Sequence, residues 1–383
     1  MIWLKILNRQ LADIKLQAEM KFTFFSFLSF FIGAVWPVKG SAQNAESFLS
    51  PQQFQTYLDS LCKKEKLPGI MAVYAKKGQQ YFYTSGYAVP SDNAPFNANT
   101  KFEAGSITKT FNAYLLMSVL RDYKITDTAS IIDYLPDSVK QNFALAHITF
   151  LSLMNHTSGL PRLPLNMELK ENEMQPYAAY DSKLLFAYLK NATPRTKFKY
   201  EYSNLGAAVA GVLAEKISGK QYGNLLDEYI FRPLKLSGSK FSAPNAYSKS
   251  TGYLDKNTPA EYWNMNVMAP AGSLVCTANE MMRYLSCMSQ PRSQKSGAVI
   301  DTLLTPTANA GNNIKVGRGW HMTEQKTKPI IYWHNGGTYG FSTFCAFEKG
   351  SGNSVLVVVN QFDKNYVSDG LGFKLIKLLQ AGE

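Results

Sequence analysis

The sequence predicts an α+β chain: an antiparallel sheet flanked by N- and C-terminal helices, with an inserted, mostly helical subdomain. Three observations predict it. Near the start, two strand-like runs, 70–75 and 80–86, are joined by Lys76-Lys77-Gly78-Gln79, a hairpin signal. Late in the chain four more runs, 319–324, 330–334, 341–348 and 354–361, follow one another on short turns such as Gly350-Ser351-Gly352-Asn353. Consecutive strands on short turns pair antiparallel. Between the two groups, about 125–310, the apolar spacing is helical and the remainder is loop-like.

Taken in order, residues 1–42 stand apart. Met20-Lys21 opens an uncharged apolar run, 22–36, which ends in Lys39-Gly40-Ser41-Ala42 before Gln43. A basic start, an apolar stretch of this length and a small-x-small end describe a secretory signal peptide, with Met20 a plausible true start and 1–19 an upstream over-extension. The run is short for a span of about 20 residues. Cleavage near Gln43 is therefore expected, giving a periplasmic or secreted product with no stable membrane insertion; an uncleaved anchor is the alternative.

Residues 43–383 then make a single domain, with an α/β part at about 43–125 and 310–383 and a helical part at about 126–309. Ser50-Pro51 reads as an N-cap with Pro at N1. Phe54, Leu58, Leu61 and Cys62 follow at helical spacing. Further helices are expected at 106–121, at 204–218 with Gly219 closing it, at 278–285, and at 369–379 through Leu371, Leu375, Leu378 and Leu379. The first and last helices should cover one face of the sheet and the helical middle the other.

Composition excludes several classes of function. With 45% hydrophobic and 18% charged residues the chain is neither disordered, collagenous nor coiled coil. Cys62, Cys276, Cys287 and Cys345 form no C-x-x-C pair, and His147, His156, His321 and His334 are scattered, so no metal site and no cofactor are expected. An exported protein can pair its cysteines. Cys276 and Cys287, however, flank the expected helix 278–285, and eleven helical residues span about 16 Å, too far for a local bridge. Long-range disulfides and buried thiols both remain open. The net charge of +12 falls to +9 without residues 1–42. The densest basic clusters, Lys63-Lys64-Glu65-Lys66 and Arg195-Thr196-Lys197-Phe198-Lys199, lack interleaved stacking aromatics, which argues against nucleic acid as a partner.

Three constellations carry chemistry. Phe102-Glu103-Ala104-Gly105-Ser106-Ile107-Thr108-Lys109 stands before an apolar helix. Ser106 and Lys109, three apart, share a helical face, and a serine at a helix N-terminus meets N–H groups that favour developing negative charge. A serine hydroxyl needs a base, and a lysine whose pKa falls through burial or a nearby cation can serve. Alone, this spacing is weak and recurs often by chance; an N-capping serine and a solvated lysine explain it better. Tyr202-Ser203-Asn204 again precedes a helix; a tyrosine beside an ammonium ionises more easily and can shuttle protons, and Asn204 can bridge the lysine and a substrate amide. His334-Asn335-Gly336-Gly337 closes a strand along which a ligand can lie. The N–H groups of Gly337 and Ser106 would there make a two-donor oxyanion hole.

The three in this order, S-x-x-K, Y-S-N and H-N-G, resemble the class C β-lactamase branch of the penicillin-binding-protein-like serine hydrolases, which includes D-alanyl-D-alanine carboxypeptidases, D-aminopeptidases and esterases. Leu67-Pro68-Gly69-Ile70, the run from Ile148 through His156-Thr157-Ser158-Gly159-Leu160-Pro161, and Ala269-Pro270-Ala271-Gly272-Ser273-Leu274 are similar to that family too. The resemblance covers about 50–380. It implies a β-lactamase/transpeptidase-like fold with Ser106 as nucleophile, and Lys109 and Tyr202 sharing the base and acid roles. It also implies that Asn204 positions substrate, that His334 faces the substrate carboxylate or leaving side, and that Asn335, Gly336 and Gly337 line the same edge. His156 is expected to shape a loop, and His147 and His321 carry no motif.

One departure matters. Where the family's third motif has K-T-G, this chain has His334 and Asn335. An unperturbed imidazole is mostly neutral at pH 7, so the hold on a substrate carboxylate should weaken, and activity on anionic substrates should rise as pH falls toward about 6.5. The resemblance thus implies an exported serine hydrolase acting on a small-molecule or peptide substrate, with β-lactams, D-amino-acid peptides, cell-wall peptides and esters among the candidates. The alternative is a penicillin-binding module that acylates with little turnover and acts as a sensor or wall-associated protein.

Overall fold

The computed structural model describes residues 50–169, 174–195, 199–239, 250–291 and 293–381. Residues 1–42, read above as a signal peptide, the expected start at Gln43 and residues 196–198 of the second basic cluster lie outside the described residues. Apart from Leu169, what is described belongs to one unit, Ser47–Glu168 with Met174–Glu383.

Helix α1, Pro51–Glu65, begins as its sequence dictates: Ser50 Oγ accepts from the Gln53 N–H, and the Gln53 side chain reaches back to the Ser50 N–H. Phe54, Leu58 and Cys62 form its buried stripe, and Lys66 ends it in the left-handed conformation. Strands β1 (Gly69–Lys76) and β2 (Gln79–Gly86) make the first hairpin. Strand β3 (Lys101–Glu103) leads into α2, Thr108–Asp122. Then come α3 (Ser182–Asn191), α4 (Asn204–Ser218), the short strands β4 (Gly252–Tyr253), β5 (Pro259–Ala260) and β6 (Val275–Thr277), and helices α5 (Ala278–Ser289) and α6 (Gln294–Leu303). The chain ends in β7 (Ala308–Gly311), β8 (Ile314–Val316), β9 (His321–Thr323), β10 (Ile331–Gly337), β11 (Ser342–Glu348), β12 (Ser354–Val359) and α7 (Asn365–Ala381).

Eight strands form one antiparallel sheet in the order β2-β1-β12-β11-β10-β9-β8-β7. On one face Ile70, Ala72, Tyr74, Phe344, Ala346, Val355, Val357 and Val359 pack against Phe54 and Leu58 of α1 and Leu371 and Leu375 of α7. On the other, Met71, Val73, Cys345, Phe347, Leu356 and Val358 join a core with α2, α4 and α5. Both faces are covered, so the interior strand β12, Ser354–Val359, is buried at every position, and Val355 through Val359 read as an unbroken apolar run rather than an alternating one.

Two boundaries differ from the sequence reading. The late group of strands starts before 319, with the hairpin β7–β8. This edge is half exposed and rich in Asn and Gly, so it carries no hydrophobic alternation; its signature is Asn312-Asn313, both at positive φ in the tight turn. Helix α5 runs on to Ser289, placing Cys287 within it, and all four cysteines are buried and in no disulfide. Among the described residues no helix is long and apolar enough to cross a membrane.

Candidate active site

Gly105 takes φ +54 and opens a single 3-10 turn, Gly105–Ile107, that carries Ser106 into α2. Thr108 fixes the turn: its hydroxyl donates to the Gly105 carbonyl at 2.6 Å and accepts from the Leu274 N–H at 3.0 Å. One helical turn on, Lys109 is 3% exposed. Its Nζ lies 3.0 Å from Ser106 Oγ and donates to the Ala271 carbonyl at 2.6 Å. Burial, with the Arg162 charge second, holds the amine well below the ordinary lysine range. A neutral amine with one N–H on Ala271 keeps a lone pair for the serine proton.

Tyr202 reaches the same spot from the start of α4. Ser203 caps that helix, accepting from the Gly206 N–H at 2.8 Å and donating to the Pro161 carbonyl at 2.7 Å. His156, at φ +62, accepts the Ser203 N–H on Nδ1 at 3.2 Å and the Glu201 N–H on its carbonyl, so it shapes the loop that carries Tyr202. The Tyr202 ring sits 4.5 Å from the His156 ring and 4.9 Å from Lys109 Nζ. The expectation that a neighbouring ammonium would ease ionisation of Tyr202 is reversed. Burial pushes the phenol up to about 12, outweighing Ser106 and Arg162, and with Lys109 favoured as a neutral amine there is no ammonium to oppose it. Tyr202 is thus favoured as the protonated phenol. Asn204 is 8% exposed, and its Oδ1 has no partner among the described residues.

The third wall is β10, which continues past His334 through Gly337. His334 points inward and is 1% exposed, its ring 6.4 Å from Tyr202. Its Nδ1 lies 2.6 Å from the Asn335 carbonyl, and its Nε2 has no partner among the described residues. Burial first, then His321 and Lys109, drive His334 well below 6.5. This overturns the expected gain for anionic substrates near pH 6.5, because the imidazole stays neutral there. Asn335 is the second correction. Neighbouring strand residues face opposite sides, and the Asn335 amide leaves the site to donate to Asp369 of α7 at 2.7 Å. Gly336 returns to it. A Cβ on Gly336 would collide with the Ala104 carbonyl and lie 3.0 Å from the Ser106 nitrogen; one on Gly105 would lie 2.7 Å from the Gly337 nitrogen. The two glycines let the backbones of Ser106 and Gly337 come side by side.

Two further residues belong to this neighbourhood. His321 pairs with Trp333 across β9 and β10, stacks on it, and lies 5.1 Å from the His334 ring; its Nε2 is 2.9 Å from the Tyr200 hydroxyl. Burial and Lys109 lower it to about 4. Only the register of β9 against β10 betrays it. Glu103, three residues before Ser106, accepts the Trp263 N–H and the Thr338 hydroxyl, each at 2.7 Å, and burial raises its carboxyl to about 7. It ties the strand feeding Ser106 to the loop after β10. Among the described residues no group of three His, Cys, Asp or Glu is placed to hold a metal ion.

The beta-lactamase family model matches residues 53–373, and the chain belongs to that family. A beta-lactamase of Providencia stuartii is 26% identical over 247 residues, 63% of this chain and 61% of that protein. The unguisins hydrolase ungD' of Aspergillus campestris is 25% identical over 357 residues, 85% of this chain and 64% of that protein. The chain thus spans somewhat over three fifths of the length of these relatives. Among solved structures, the class C beta lactamase from Rhodobacter sphaeroides shares the fold, with a TM-score of 0.73 at 20% identity over 84% of this chain and 97% of that one.

Proposed function

We propose that this member of the family is an exported serine hydrolase that cleaves an amide, peptide or ester bond through an acyl-enzyme on Ser106. The observation that carries the reading is the buried Lys109 amine, 3.0 Å from Ser106 Oγ and held away from its charged form. Lys109 takes the hydroxyl proton as Oγ attacks the substrate carbonyl carbon. The oxyanion forms between the N–H groups of Ser106 and Gly337. Collapse breaks the scissile bond, and the protonated phenol of Tyr202 hands its proton to the leaving group, regaining one from Lys109. Water then repeats the sequence on the acyl ester: it gives a proton to Tyr202 as the phenol passes its own to the neutral Lys109, and the proton returns to Ser106 Oγ as the ester breaks. Asn204 Oδ1 offers an acceptor to a substrate N–H.

The substrate preference follows from β10. A carboxylate placed against the end of this strand meets a neutral imidazole instead of an ammonium, so neutral esters and D-amino-acid peptides should be turned over better than β-lactams. Two family names, beta-lactamase and hydrolase, support bond cleavage as the activity class. The test is covalent labelling by a fluorescent penicillin and a nitrophenyl ester assay, on wild type and Ser106→Ala. Loss of both in Ser106→Ala, by several orders of magnitude in rate, is expected. Labelling of Ser106→Ala at the wild-type level would sink the assignment. A label persisting for hours on wild type without product would favour the penicillin-binding module.

A further inference from the structure

We infer that Arg162 makes this site a selector for substrates with a carboxylate next to the scissile bond, held on the Tyr202 side instead of at the β10 end. The inference rests on the hydrolase reading above. Its first support is a contrast among the arginines. Arg121, Arg195, Arg232 and Arg318 each pair with a carboxylate, and Arg283 donates to the Lys235 carbonyl. Arg162 has no ion pair and no side-chain hydrogen bond among the described residues; it is exposed, and its Cζ stands 5.3 Å from the centre of the Tyr202 ring. An exposed, unpaired guanidinium at the lip of a reaction centre is a binding group in search of an anion.

The second support is where its backbone is tied. The Arg162 carbonyl accepts the N–H of Asn204 at 3.0 Å and of Leu205 at 3.2 Å, so the loop carrying the guanidinium is clamped to the turn carrying Tyr202 and Asn204. The third is the character of its surroundings. Lys109 and His334 are favoured as neutral groups and Tyr202 as a protonated one, while Arg162 sets a permanent charge over the Tyr202 ring. A guanidinium matches a carboxylate with two parallel N–H···O bonds. An ammonium is missing from β10, and a permanent cation stands over the Tyr202 ring instead.

Three nitrophenyl-type esters matched in size test this: one neutral, one with a carboxylate in the acyl chain, one with a carboxylate on the phenol. The quantity read is kcat/KM for each charged ester divided by that for the neutral one, which cancels any effect of Arg162 on Lys109. In Arg162→Gln the ratio should fall about tenfold or more for at least one charged ester, and Arg162→Lys should retain part of it. Unchanged ratios for both charged esters would overturn the inference. If no ester is turned over, the hydrolase reading fails, and equilibrium binding still decides the present point. Monomethyl glutarate should bind Ser106→Ala more tightly than dimethyl glutarate, and the difference should vanish in Ser106→Ala/Arg162→Gln. Equal binding of the two esters to Ser106→Ala would refute it.

Discussion

The helix-borne and strand-borne walls of the site use consecutive residues in opposite ways. At the head of α2, Ser106 on the 3-10 turn and Lys109 in the first turn of the helix lie three apart and meet at 3.0 Å, because helical winding returns to the same face after one turn. On β10, His334 and Asn335 are adjacent and part company: one ring stays inside, the other side chain goes to Asp369. A motif of neighbouring letters on a strand therefore names residues on two faces, and only alternate ones can meet a ligand through their side chains. The same comparison extends to charge. Both walls bury titratable bases, but on the helix burial makes a usable base, whereas on the strand it removes the cation that would have met a carboxylate.

The largest effects should come from the helix side. Lys109→Ala and Tyr202→Phe should each lower the acylation rate by about two orders of magnitude or more. The double variant should fall little further, because both serve one proton path. Additive losses in single-turnover kinetics would break the shared path and with it the contrast between the walls. A smaller and different effect is expected on the strand. Asn335→Ala removes a donor from the buried Asp369, whose carboxyl burial already raises to about 7. It should lower unfolding free energy by about 1–3 kcal/mol while kcat/KM changes less than about threefold. Denaturant melts and ester kinetics on one preparation check this; a large loss of turnover with unchanged stability would put Asn335 back in the site.

Much of this was legible in the sequence for stated physical reasons. The S-x-x-K spacing, the Ser50 cap and the two covering helices all follow from local rules of helix start and periodicity. The sheet order could not be read beyond its hairpins, since β1 pairs with β12 across nearly the whole chain. Three further things needed the fold. The outward turn of Asn335 depends on strand phase. The position of His321 depends on the register of β9 against β10. The direction of the Tyr202 and His334 shifts depends on how deeply the site is buried, which no spacing reports. Arg162 sits directly after Leu160-Pro161, where the sequence shows only a loop; its tie to the start of α4 is a contact over about forty residues.

The central claim is that burial turns Lys109 into a neutral base. The sign for activity follows. The deprotonated amine is the working form, so kcat/KM on a neutral ester should rise with pH through a lowered Lys109 pKa and hold until Tyr202 ionises near about 12. The most direct measurement is an NMR titration of Nζ in lysine-labelled protein, with Lys109 assigned by its loss in Lys109→Ala. The account predicts a Lys109 resonance that titrates well below the ordinary 10.5 and in step with the acid limb of kcat/KM. A Lys109 ammonium that titrates at the ordinary value, with activity already full below it, would contradict the account.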